Sequence, residues 1–324
     1  MVEETGVRQR LVFDENIVKN GEAVEINNNE ETTCPNKNGL HKEHQSIWEV
    51  LDYENLPEWL RDNEYLKSNH RPIVQNYAAC FRSIFKLHSE TGNIWTHLIG
   101  CLIFVAIAAY FWVNTEGHVS LHDKLVFLAF FASAILCLGL STLFHTVCCH
   151  SAEVFVLFRK LDYLGIAVMI IGSMIPMVYY WFYCETIPKL VYISMIVVLG
   201  SVVIYVTLSP IFGQNNYRHL RAIVFASMSF TILIPATHYA LTHGIYRLHL
   251  DRFDLFLLMG FLYIFGAVVY TTRIPERFFP GKCDIWLHSH QLFHLLVVLG
   301  AITHYIQAYE MATHRLNGHM KCSN

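Results

Sequence analysis

Seven stretches of this chain contain no Asp, Glu, Lys or Arg: residues 91–115, 125–152, 163–184, 190–217, 222–246, 255–272 and 285–309. Each holds 18 or more residues, and about 20 helical residues cross a hydrocarbon core. No water is available there to backbone groups, so a spanning segment must satisfy its own hydrogen bonds, as a helix does. The chain therefore reads as an all-α integral membrane protein with seven transmembrane helices. Composition agrees: 15% of its 324 residues are charged and 54% hydrophobic, where a soluble domain carries roughly 25% charged residues.

Charge divides the chain. Residues 1–70 hold 15 acidic and 7 basic side chains, and residues 71–324 hold 11 and 16. The net charge of -3 offers no basic surface for nucleic acid. Residues 1–45 are rich in Asn, Glu and Lys without periodicity, as in a disordered tail. Residues 46–90 place Trp48, Leu51, Leu56, Trp59, Leu60 and Leu66 among acids, which suggests short amphipathic helical pieces beside the membrane. Residues 91–310 form the seven-helix domain and 311–324 a short outer tail. The opening MVEETGVRQR has no apolar run, so no cleavable signal peptide is expected. Nine scattered cysteines without a CxxC pair predict no disulfide framework. Pro176 and Pro235 fall inside the third and fifth stretches, where a kink would help to open a cavity.

Orientation follows the basic residues of the connections. Arg82, Lys86, Arg159, Lys160, Arg218, Arg221, Arg273, Arg277 and Lys282 lie on the amino-terminal side, nine against six on the other. The amino terminus is predicted in the cytosol and the carboxyl terminus outside, the reverse of a G-protein-coupled receptor. Neither DRY nor NPxxY occurs at the positions such a receptor requires, and HExxH of the zinc proteases is absent.

Because spans alternate in direction, the end of the second, the start of the third and the start of the seventh must meet one membrane face. Parity alone brings STLFHT, KLDYLG and HSHQLFH to one level. Imidazoles are costly in a membrane and are there by default functional. At about 100° per residue, His290 and His294 lie about 40° apart on one helix face, whereas His288 points some 160° from His290. With His145 they make the three-protein-ligand set of a catalytic zinc ion. His97, early in the first span, competes for a place in the set, and ordinary packed histidines are the third reading. His238 and His304 belong near the opposite face. Asp162, placed at the mouth of the third span, reads either as a helix cap or as a base beside the metal. Ser141 either bonds the carbonyl one turn back or supports the site. Cys148 and Cys149 read as buried small apolar residues.

The run from Ser141 to His145 with HTVCCHS, KLDYLGI around Asp162, RIPERFFPGKCDIW and SHQLFHLLVV, with NIWTHLIG and LPEWLRDNEYL before them, resembles the progestin and adipoQ receptor family. The likeness is greatest to the adiponectin-receptor branch and covers roughly residues 48–310. It implies a cytosolic amino terminus and a zinc ion near the cytosolic face, held by His145, His290 and His294, with His97 left to packing. It also implies Asp162 and Ser141 as the catalytic pair. The activity implied is that of a receptor in lipid metabolism and a zinc-dependent amidohydrolase of the ceramidase kind. The partners implied are membrane lipids, long-chain ceramide or fatty acid, a secreted polypeptide ligand and a second copy of the chain, at the plasma membrane. A non-enzymatic receptor or lipid sensor with structural zinc is the alternative.

Overall fold

The computed structural model describes residues 48–114, 119–212 and 214–316. The predicted disordered tail, 1–45, and most of the outer tail fall outside them. A short α1 (Tyr77–Ser83) precedes α2 (Thr91–Asn114), α3 (Leu121–Val147), α4 (Ala152–Trp181) and α5 (Thr186–Leu208). Then come α6 (Arg218–Phe230), α7 (Leu233–Leu250), α8 (Phe253–Thr272) and α9 (Ser289–His314). Counting α6 and α7 as one, α2 to α9 provide seven spans long and apolar enough to cross a membrane. No strand forms among the described residues, only an isolated bridge between Leu51 and His70. The chain is a multi-pass membrane protein. Its outward faces suit lipid, with Leu102, Val198 and Phe261 at 59%, 62% and 60% exposure.

The helices begin where capping chemistry allows. Ser120 accepts from the Asp123 amide and Ser151 from the Val154 amide, filling orphan donors of the first turn. Charge-free stretches mark the hydrocarbon crossing rather than the helix, so boundaries move. α4 starts eleven residues before position 163, with Glu153, Arg159, Lys160 and Asp162 in its first three turns. The last helix runs to His314 rather than stopping at 310.

The fifth span is broken. α6 ends at Phe230, α7 begins at Leu233, and Pro235 sits in the first turn of α7, where its missing N–H has no helical partner to lose. At Gly244 φ is 79° inside α7, a backbone state that a side chain would strain.

α4 lies between α3 and α5, α2 packs on α3 and α9, and α8 packs on α9. The α3–α4 contact is close because α4 offers glycines. A Cβ at Gly172 would lie 2.1 Å from Ser133 Oγ, and one at Gly165 would lie 2.9 Å from Cys137 Cα. Small residues let membrane helices approach so nearly.

Residues 48–90 are less helical than expected. They hold two single 3₁₀ turns, Tyr53–Asn55 and Glu58–Leu60, and α1. Part of this segment is tied instead to the α8–α9 connection. Lys67 and Ser68 amides donate to the Asp284 carboxylate at 3.1 and 2.8 Å, and the Asn63 side chain donates to Glu276 at 3.0 Å. Glu276, fully buried, accepts from the Ser289 amide at 2.7 Å and so caps α9. Leu56 and Leu66 are buried.

At the opposite end of the bundle Arg315 and Asp251, 0% and 1% exposed, pair at 2.8 Å. Arg315 also donates to the Tyr239 hydroxyl and the Tyr180 carbonyl. One cysteine departs from expectation: Cys184, in the α4–α5 turn, is disulfide-bonded, and its partner lies outside the described residues. Asp251→Ala removes the carboxylate paired with a buried guanidinium and should cost about 3–5 kcal/mol. Thermal unfolding in detergent reads the loss. The exposed Arg252–Glu310 pair is the control, and Glu310→Ala should cost about 1 kcal/mol at most.

Candidate metal centre

His145 stands in the last turn of α3, and His290 and His294 in the first two turns of α9. One ligand atom from each lies within 4.8 Å of the others, and this is the one such cluster among the described residues that could hold a metal ion. Ring centroids are 5.0 Å apart for His145 and His290, 4.9 Å for His145 and His294, and 4.7 Å for His290 and His294. His288 takes no part. It precedes the first turn of α9 and its Nε2 meets the Ser89 carbonyl at 3.1 Å. The 40° spacing thus sets His290 and His294 on one face as the helical register requires, whereas His288 is set apart by its extended backbone ahead of the helix rather than by a 160° offset within it.

The donor atoms suit a metal. Nδ1 of His145 lies 2.7 Å from Glu90 Oε2, and Nδ1 of His294 lies 3.2 Å from the Asn93 carbonyl. Each Nδ1 is therefore the protonated nitrogen, leaving Nε2 with a lone pair. Nε2 of His145 is buried and has no hydrogen-bond partner, a state that is costly unless a ligand or ion completes it.

Arg71 buttresses the end of α3. It is 3% exposed and donates to the His145 and Thr146 carbonyls, to Ser83 Oγ and to Cys148 Sγ. Cys148 is thereby spent on a guanidinium, and Cys149 faces Cys80 at 3.8 Å, so neither thiol joins the cluster. His238 bonds Tyr192 and His304 contacts Met259, far from the three histidines along their helices.

Asp162 sits ten residues into α4 rather than at its mouth, about 15 Å from the helix start. Ser151 already caps that helix, so the capping role for Asp162 is excluded. Asp162 is 7% exposed and lines a cavity of ≈ 380 Å³ together with Ser141, His97, His290 and His294. Ser141 does not bond the carbonyl one turn back, unlike Thr142 and Thr146 beside it. Its hydroxyl is near the Asp162 carboxylate without a bond of normal geometry. Away from this end the cavity wall is apolar, with Met174, Met177, Phe225 and Ile264. Residues on either side of Pro176 and just before Pro235 line it.

Glu90 escaped the sequence reading, which used it only as the charge bounding the first span. Its signal was present: Glu90, Asn93 and His97 recur at i, i+3 and i+7, one face of a helix. Burial alone would raise the Glu90 pKa. The His145 hydrogen bond, then Arg71, outweighs it and holds the carboxyl well below its usual value. His88 is lowered to about 4 by burial first and then by Arg71.

A seven-helix membrane protein with a buried three-histidine cluster at one end of an apolar cavity is the class these features define. Residues 85–305 match the haemolysin-III-related family. The chain is 52% identical over 277 residues to progestin and adipoQ receptor-like protein 1 of Caenorhabditis elegans, covering 85% of this chain and 64% of that protein. To the adiponectin receptor protein of Drosophila melanogaster it is 48% identical over 279 residues, 86% of this chain and 63% of that one. To heptahelical transmembrane protein 1 of Arabidopsis thaliana it is 35% identical, covering 80% of each. The chain spans somewhat less than two thirds of the length of the first two relatives. It belongs to the haemolysin-III-related family, and the resemblance to progestin and adipoQ receptors drawn from its motifs is borne out.

A histidine whose folded pKa lies below its unfolded value binds its proton more readily when unfolded. Stability is then lost as pH falls from the unfolded pKa toward the folded one. For His88 the window runs from roughly pH 6.5 to 4 and is worth about 3 kcal/mol. The depressed Glu90 carboxyl acts in the same sense, its stabilisation fading as pH falls through its folded pKa. Melting temperature in detergent should drop between pH 7 and 5, and His88→Gln should flatten the dependence. An unchanged slope in that variant would refute the assignment.

Proposed function

We propose that the chain is an adiponectin-receptor-like regulator of lipid metabolism whose three-histidine cluster holds zinc and hydrolyses a long-chain lipid amide of the ceramide type. The carrying observation is the convergence of one ligand atom each from His145, His290 and His294 beside an apolar cavity that also holds a carboxylate. Three imidazoles leave a fourth zinc position open, as in catalytic rather than structural sites. When bound, zinc supplies a Lewis acid and lowers the pKa of water at the site to near ~7.

The residues divide the remaining work. The apolar wall, including Met174, Met177, Phe225 and Ile264, binds the acyl chain and excludes water along it. Asp162 accepts the proton of the attacking water and returns it to the leaving amine, with the Ser141 hydroxyl beside it on the cavity wall. Long-chain ceramide is the substrate class and fatty acid the product.

The cytosol is the proposed compartment of the histidine end and the amino terminus, with the plasma membrane as location. Nine against six basic residues support this, as does the distribution of thiols. Cys80, Cys148, Cys149 and Cys283 at the histidine end are free, and the disulfide-bonded Cys184 is at the other, as expected when only the latter faces an oxidising compartment. A receptor for a secreted polypeptide is the second reading, favoured by the name of the Drosophila relative. A slow hydrolase signalling through its product satisfies both.

Purified protein should carry about one zinc per chain, and His290→Ala with His294→Ala should abolish it, while His288→Ala leaves it unchanged. Asp162→Asn should retain zinc yet lower hydrolysis of a fluorescent long-chain ceramide by ~100-fold or more. An apo sample controls for contaminating hydrolases. Absence of zinc-dependent turnover of any long-chain amide by the unmutated protein would sink the hydrolase reading. An epitope inserted within residues 1–40 should be hidden from antibody on intact cells, and one after Lys321 accessible. The reverse pattern would refute the orientation.

A further inference from the structure

One face of α2 and the residue just before it touch the histidine cluster at three points. Glu90 Oε2 meets His145 Nδ1 at 2.7 Å and also accepts from Asn93 Nδ2 at 2.7 Å. The Asn93 carbonyl meets His294 Nδ1 at 3.2 Å. The His97 ring stacks on His294 with centroids 3.6 Å apart and planes 8° from parallel. None of the three residues is among the clustered ligands, yet between them they fix two of those ligands, carried by different helices.

We propose that Glu90, Asn93 and His97 are positioning residues for the metal centre, with Glu90 setting its affinity. This rests on the reading that the three histidines bind zinc. Glu90 holds the proton of His145 on Nδ1, so the Nε2 lone pair is presented to the cluster in one tautomer. It also places a negative charge behind that imidazole and makes it a more basic ligand. Asn93 fixes His294 in the same tautomer through its backbone, which no side-chain substitution removes, and orients Glu90 with its amide. His97 fixes the plane of His294 by stacking and needs neither of its nitrogens for that role.

The segment is itself held rigid. The Thr91 hydroxyl accepts from the His88 amide at 2.9 Å, and His88 Nδ1 accepts from the Glu90 amide at 3.1 Å. Against Gly92 lies the Gln291 side chain, 2.4 Å from where a Cβ would stand. Gln291 donates to the Ile285 carbonyl at 2.7 Å. α2 and the start of α9 are thus mated between the two ligands of α9, and any tilt of α2 reaches both His145 and His294.

The test measures metal, not turnover. Full-length protein in detergent is stripped of metal and titrated with Zn²⁺ against a chromophoric chelator, and in parallel with Co²⁺ while its visible absorption is recorded. Glu90→Gln, which keeps shape but removes charge, should weaken zinc binding about tenfold, and Glu90→Leu about 100-fold. Both should bind one ion still, because all three ligands remain. The Co²⁺ band should shift in position or lose intensity in the Glu90 variants, a change that a merely loosened fold does not produce. His97→Phe preserves the stack and should bind zinc within about threefold of the unmutated protein, whereas His97→Ala should bind it more weakly than His97→Phe. Should Glu90→Leu not fold, Glu90→Gln carries the comparison. Zinc binding by both Glu90 variants within twofold of the unmutated protein overturns the proposal and leaves the metal centre standing. Failure of the unmutated protein to bind zinc overturns both.

Discussion

The bond between the Glu90 carboxylate and the His145 imidazole is the contact on which the amino-terminal end of the bundle turns. Glu90 is only partly buried, its side chain 28% exposed, and its carboxylate is held inward by His145 and Asn93 with Arg71 nearby. Glu90 immediately precedes α2 and His145 closes α3, so the pair pins two antiparallel helices at one level. α3 in turn fixes α4 through the glycine contacts at Gly165 and Gly172, and α4 brings Asp162 to the cavity. Arg71 extends the same lock into α1 and the turn after α3. The positions of four helices and a loop thus follow from one carboxylate–imidazole hydrogen bond and its neighbours.

That lock also explains which features the sequence disclosed. The seven spans were legible because hydrocarbon forbids charge, and the three histidines because helix parity and a 40° offset are properties of any α-helix. The start of α4 was not, because Arg159, Lys160 and Asp162 belong to helix that lies beyond the charge-free stretch. The same displacement hid the true setting of Asp162, which looked like a cap and is a cavity residue. Glu90 was hidden for the opposite reason: a charge beside a span reads as its boundary, and only the distance to His145 shows it turned inward. The segment 48–90 was misjudged because its apolar residues, Leu56 and Leu66, are buried by irregular chain whose amides bond carboxylates more than 200 residues away, at Asp284. Nothing local in a sequence announces such partners.

The two ends of the bundle solve one problem in different ways. At the far end Arg315, Asp251 and Tyr239 form a network in which guanidinium, carboxylate and hydroxyl partner one another. Replacing such a network by apolar side chains would often cost little, so its contribution is to specify how α4, α7 and the end of α9 meet. Buried polar atoms are left without partners at both ends, Asp251 Oδ1 and Gln307 Oε1 at the far one, but the histidine end adds a cavity beside them. His145 Nε2 and Ser141 Oγ are buried without partners, and Ser141 lines the cavity together with His290 and His294. Incomplete buried polar groups beside a cavity leave room for a ligand or ion to complete them.

The cavity narrows what that can be. A metal serving only to tie α3 to α9 would be best closed by a fourth protein ligand, and the space beside the histidines would be better filled by side chains. Here the neighbouring acid, Asp162, stands on the cavity wall, and the wall beyond it is almost wholly apolar. A small polar substrate would gain nothing from Met174, Met177 and Phe225, and a plain hydrocarbon would leave the imidazoles and the carboxylate unmatched. The proposed substrate, a long chain joined to one polar linkage, would match both ends at once, with the linkage at the histidines and the chain in the apolar arm. The same reasoning puts the positioning residues on α2. Much of the cavity side of the cluster must stay free for the ligand, so Glu90 and Asn93 orient the histidines from outside the cavity, while His97, itself on the cavity wall, stacks on His294.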